Sequence, residues 1–145
     1  MSEGSAITVD GINACLGQIL GCPQLETLNL SANNIDDDGA KMIADALKVN
    51  QSLKKLELSA NKIGADGAKQ IADALKVNNR LKKLHLSGNN IGTDGAKTIA
   101  DALKVNLSLE SLYLYYNNID TDGKEYLSKR KQEFKDTNRY INIYW

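Results

Sequence analysis

Hydrophobic residues return along this chain at a fixed interval of 28. Residues 25–52 read LETLNLSANNIDDDGAKMIADALKVNQS, residues 53–80 read LKKLELSANKIGADGAKQIADALKVNNR, and residues 81–108 read LKKLHLSGNNIGTDGAKTIADALKVNLS. The second and third copies differ at seven positions, and a fourth opens at Leu109 as LESLYLYYNNIDTDG before drifting. A period of this length marks a stacked repeat protein, because one unit cannot bury its apolar face without neighbours.

Inside each unit the pattern changes period. Leu28 and Leu30 alternate with Thr27, Asn29 and Ser31, which predicts a half-buried strand. Ala40, Ile43, Ala44 and Leu47 follow at helical spacing and predict an amphipathic helix, with small alanines that allow close approach to the strand layer. Asp36 suits the helix N-cap, Asp37 and Asp38 the first turn, and Lys48 the last turn. Asn50 suits a left-handed position ending the helix. Asn33, Asn61, Asn89 and Asn117 recur where the chain leaves the strand, and their amides are expected to form a ladder that pairs the turns' backbone groups.

The ends fit the same ruler. Residues 7–11 align with residues 63–67, so the chain begins inside a unit, with a helix over residues 7–24 covering the first full repeat. Residues 139–145 alternate like a strand and predict a fifth, terminal one, matched to residues 111–117 less well in residue type. The fourth helix replaces the Ala/Ile stripe by polar and charged residues, as a solubilising cap would.

LxxLxLxxNxI followed by a DGAxxIAxAL helix resembles the leucine-rich-repeat family, in its ribonuclease-inhibitor-like subtype with 28-residue helical units. The resemblance implies an α/β fold: a right-handed horseshoe-shaped solenoid with parallel strands on its concave face and helices on its convex face. One domain spans residues 1–145, made of the half-repeat over 7–24, full repeats over 25–52, 53–80 and 81–108, and a divergent repeat, cap and terminal strand over 109–145. It also implies a ligand-binding surface, on a fold that hosts many roles.

Composition narrows the classes. Acidic and basic residues balance at 18 each, so no global field draws the chain to nucleic acid or an acidic membrane. No apolar run reaches the length of a membrane span. The N-terminus lacks a basic segment before an apolar core, which points to the cytoplasm. Cys15 and Cys22, two helical turns apart, are too distant for an unstrained disulfide and read as reduced thiols.

Candidate chemistry reduces to repeat grammar. Residues 92–98, GTDGAKT, approach a phosphate loop, but Ala96 separates Gly95 from Lys97 and Asp94 stands where phosphate would sit. Asp36, Asp37 and Asp38 lack the alternating ligand spacing of a calcium loop. His85 has no partner from any recognisable triad. No enzymatic activity, metal or cofactor is expected.

Where the copies differ, several differences fall on outward strand positions: Thr27/Lys55/Lys83/Ser111, Asn29/Glu57/His85/Tyr113 and Ser31/Ser59/Ser87/Tyr115. Lys55 and Lys83 would lie side by side as like charges, which an acidic patch on a partner would relieve. All eight aromatic residues follow residue 112, and Tyr113, Tyr115 and Tyr116 crowd one strand. With Tyr140 and Tyr144 projecting to the same side, they would form an aromatic patch. The candidate partner-binding residues are therefore Lys55, Glu57, Lys83, His85, Tyr113, Tyr115, Tyr116, Tyr140 and Tyr144. The leading reading is a non-catalytic module that binds a protein on its concave face. The alternatives are a regulator of a small GTPase or other enzyme, and an engineered or recently duplicated scaffold without an evolved partner. The expected state is a monomer or a dimer paired through the C-terminal sheet edge.

Overall fold

The computed structural model describes residues 25–145, as four and a half turns of a strand–helix solenoid. The elements are β1 (Thr27–Asn29), α1 (Asp37–Val49), β2 (Lys55–Glu57), α2 (Ala65–Leu75), β3 (Lys83–His85), α3 (Gly92–Ala102), β4 (Ser111–Tyr113), α4 (Thr121–Asp136) and β5 (Asn142–Tyr144). The strands form one parallel sheet in chain order, with Leu28, Leu56, Leu84, Leu112 and Ile143 in register along its middle. Parallel strands sit roughly 4.8 Å apart whereas packed helices need about 8–10 Å. A stack with one strand and one helix per unit must therefore curve, with the sheet on the inside. The helix expected over residues 7–24, with Cys15 and Cys22, lies outside the described residues.

The core lies between the two layers. Leu56, Leu58, Ile63, Ala68, Ile71, Ala72 and Leu75 of one unit are wholly buried, as are their counterparts one repeat on. The glycine before each packing alanine belongs to this core. A Cβ on Gly95 would meet Ile91 Cγ2 at 2.6 Å and the Ala68 Cβ at 3.2 Å. The phosphate-loop-like frame at residues 92–98 is thus a close-packed helix start, and its glycine serves side-chain packing.

Two asparagine ladders fasten the turns. In the expected one, Asn61 Oδ1 accepts from the amides of Asn33 at 2.9 Å and Ile35 at 3.0 Å, while its Nδ2 donates to Leu30 O and Leu58 O at 3.1 and 2.9 Å. Asn89 and Asn117 repeat the scheme with a single amide donor each, Ile63 and Ile91. The second ladder runs through Asn50, Asn78 and Asn106, at the other end of the helices. Asn78 Nδ2 donates to Leu47 O of the preceding unit, and its Oδ1 accepts from Arg80 and Leu81 amides. The left-handed position expected for Asn50 is not observed: its φ and ψ are −73° and 135°. Asparagine is needed there because its side chain closes the next loop, accepting from Ser52 and Leu53 amides.

Helix capping differs among the copies. Asp36 caps α1 and Asp120 caps α4, each accepting from the glycine amide three residues on. Gly64 has no side chain to cap α2, and Asp37 does so from the neighbouring unit, accepting from Gly64 N at 2.7 Å and Gly67 N at 3.0 Å. One carboxylate therefore couples two repeats. Asp37→Ala is expected to cost about 1 kcal/mol, the usual value of a cap. Chemical denaturation of the variant beside Asp38→Ala, which makes no such bond, checks this.

The fifth strand is present, but its register corrects the expected one. Asn142 pairs with Ser111, an offset of 31 residues, three beyond the repeat period. The additional chain extends α4 to 16 residues. Its stripe is Leu127, Arg130 and Phe134 in place of alanines and isoleucine. Arg130 is 8% exposed and binds Asp101 of α3 at 2.9 Å and the Tyr126 hydroxyl at 2.8 Å, so a polar cluster holds the cap to the stack.

Candidate functional site

Two rows of side chains run across the concave sheet at right angles to the strands. The first is Thr27, Lys55, Lys83, Ser111 and Asn142; the second is Asn29, Glu57, His85, Tyr113 and Tyr144. Lys55 and Lys83 are Cα neighbours, as their spacing predicted. The like charges are partly relieved, because Lys55 Nζ lies 3.1 Å from a Glu57 carboxylate oxygen two residues along its own strand. Lys83 is in no ion pair among the described residues and is left exposed. Ser111, expected to point outward to solvent, is 7% exposed.

The second row ends in a stack of rings. The imidazole of His85 lies 3.9 Å from the Tyr113 ring at an interplanar angle of 14°, and Tyr113 lies 4.8 Å from Tyr144 at 18°. Tyr115, two residues past the end of β4, joins 6.1 Å from Tyr144. The short parallel spacing forces such contact: flat rings in register on neighbouring strands must stack or splay apart. Partial burial is the largest cause holding the His85 pKa below its ordinary value; Lys55 and Lys83 add to it, and Glu57 opposes both. Burial thus favours the neutral imidazole, which presents a polar nitrogen edge on a flat platform.

The nine candidate residues are not all brought together. Lys55, Glu57, Lys83, His85, Tyr113, Tyr115 and Tyr144 share the concave face. Tyr116 follows in the turn, 88% exposed and in a left-handed backbone conformation with φ 58°. Tyr140 precedes β5 and lines a groove with α4, outside the ring stack. Alternation alone placed Tyr140 and Tyr144 on one side, but Tyr140 lies before the strand proper.

Sequence reasoning missed another surface. Val49, Val77 and Val105 stand at the helix ends, each about 60% exposed, with Leu107 beside them at 79%. Their signal was present in the repeat as the KVN tripeptide, whose Asn is buried while its Val is not. Among the described residues no cluster of three or more His, Cys, Asp or Glu side chains could hold a metal, and no helix is long and apolar enough to cross a membrane.

The model of a leucine-rich repeat matches residues 21–44, 49–72 and 77–100, one match per 28-residue unit. The chain belongs to the leucine-rich-repeat family. Its parallel sheet backed by one full helix per unit is the solenoid that the resemblance implied. Among solved structures, this leucine-rich-repeat chain is similar to leiomodin-1 actin-binding site 2, with a TM-score of 0.82 at 21% identity, covering 96% of this chain and 80% of that one. It is also similar to the tropomodulin C-terminal domain of Caenorhabditis elegans, with a TM-score of 0.77 at 11% identity, covering 92% and 81%. At such identities the likeness is one of fold. No curated protein matches the sequence at a significant level.

Proposed function

We propose that this chain is a non-catalytic, cytoplasmic protein-interaction module that binds a protein partner on its concave sheet. The observation that carries the reading is the ring platform of His85, Tyr113 and Tyr144, set beside Glu57, Lys55 and the unpaired Lys83. Stacked rings on a rigid sheet lose little side-chain entropy on binding, and tyrosines offer a large apolar face with a hydroxyl at the tip. The actin-binding site of leiomodin-1 shares the fold, which supports a protein as the partner and makes actin the first one to try. The Lys83 ammonium favours an acidic patch on that partner.

Tyr113→Ala with Tyr115→Ala is expected to weaken binding by roughly 4 kcal/mol, about 2 for each aromatic anchor. Lys83→Glu should slow association and flatten its salt dependence. Lys41→Glu with Lys69→Glu, on the exposed convex helices, should leave binding unchanged. The measurement is capture of purified actin, and of source-cell extract, on each immobilised variant after circular dichroism shows it folded. Loss of capture with the convex pair and retention with the concave variants would move the site to the other face.

A further inference from the structure

Among the described residues the sheet order ends at β5, and one edge of that strand has no neighbouring strand. Along a parallel strand, alternate residues turn their backbone groups to opposite sides. Asn142 N donates to Glu110 O at 2.9 Å and Leu114 N donates to Tyr144 O at 2.7 Å, so Asn142 and Tyr144 face β4. Ile141 and Ile143 direct their amides and carbonyls to the open side. There a groove of about 340 Å3 lies between α4 and β5. Its charged side chains are Lys131, Lys135 and Arg139, and no carboxylate side chain lines it.

Structural roles account for two of these cations. Arg139 lies over the Phe134 ring and donates to the carbonyls of Leu103 and Leu109, which closes the end of α3. Lys131 Nζ donates to Ile143 O at a long 3.4 Å and lies within 6 Å of the rings of Tyr144 and Trp145. A lysine laid on an open strand edge discourages unwanted pairing. That role does not involve Lys135, which suits the last turn of α4 as a cation but is exposed and in no ion pair among the described residues. Nor does that role explain the Tyr140 ring, held 78% exposed at the groove's mouth.

We propose that this groove takes an acidic peptide segment in extended conformation, which adds to β5 as a sixth strand. The segment's main chain pairs with Ile141 and Ile143, its carboxylates displace Lys131 from the Ile143 carbonyl and meet Lys135, and Tyr140 and Trp145 flank its side chains. Strand addition draws affinity from main-chain bonds and specificity from what flanks the edge. A second copy of this chain fits worse, because pairing two β5 edges about a twofold axis brings both sets of cations together. This site is separate from the concave platform and stands or falls independently of it.

Trp145 is the only tryptophan in the chain and lines the groove, so its emission reports occupancy. The probe is an end-blocked hexapeptide of alternating Glu and Val, titrated into the full chain. A saturable change in emission is expected. The same peptide with Lys in place of Glu should bind at least about tenfold more weakly, as should one N-methylated at alternate residues to remove the pairing amides. Lys135→Glu, at an exposed position, should weaken the acidic peptide by about tenfold with the circular dichroism spectrum unchanged. Absence of binding, equal binding of the N-methylated peptide, or full affinity in Lys135→Glu would each overturn strand addition. So would sedimentation as a dimer that the peptide dissociates, which would assign the edge to a second copy.

Discussion

Replacing Asn61 with alanine is expected to lower the unfolding free energy by roughly 3–5 kcal/mol, although the change removes only a few atoms. The side chain is 8% exposed and sits between two units. Its oxygen is the partner of the Asn33 and Ile35 amides, and its nitrogen serves Leu30 O, Leu58 O and, at 3.2 Å, Ser59 O. Alanine offers none of these groups a substitute. Each buried backbone group left unpaired costs about 1–3 kcal/mol. Asn61→Asp separates the halves of the amide, since it keeps an acceptor for the two amides and discards the donor. Urea melts of both variants check the argument. An Asn61→Ala curve that overlays the parent's would mean that the ladder contributes nothing.

Leu58→Ala should cost about 2–5 kcal/mol, from lost transfer energy and the cavity left behind. Leu58 is wholly buried and points from the sheet into the helix layer at the centre of the stack. A solenoid is held by nearest-neighbour interfaces, so a hole in a central unit weakens the link between the two ends as well as the whole. The unfolding transition should therefore broaden, with a lower denaturant slope. Emission from Trp145, at the C-terminal end, should then no longer coincide with loss of helical circular dichroism. Coincident transitions at the parent's midpoint would overturn this.

The features legible in the sequence are those that every unit repeats. Leu28 and Leu30 alternate in a strand pattern, Ala40 to Leu47 carry the helical stripe, and Asn33 recurs at a turn, so element types and the first asparagine ladder could be read directly. Features made once, or made between units, could not. Asp37 binds amides 27 and 30 residues away, and only the packed stack brings them near. Asn50 was read by its backbone preference, whereas its role lies in a side chain closing the following loop. The β5 register depended on how far α4 would run, and polar residues in that helix gave no apolar stripe to count. The ring stack inherits that uncertainty, since Tyr144 meets Tyr113 only with the 31-residue offset.

The near-identity of the units has a consequence for the length of this protein. Asn89 presents the same amide geometry to the unit before it as Asn61 does, and Leu84 has the same place in the sheet as Leu56. Excision of residues 53–80 would let the amide of Ile35 close on Asn89 as that of Ile63 does, and would let Leu28 lie beside Leu84. Duplication of the same segment would find its joints equally ready. The junctions are standardised like couplings between railway carriages, and the concave surface can shorten or lengthen by whole units without a new contact having to arise.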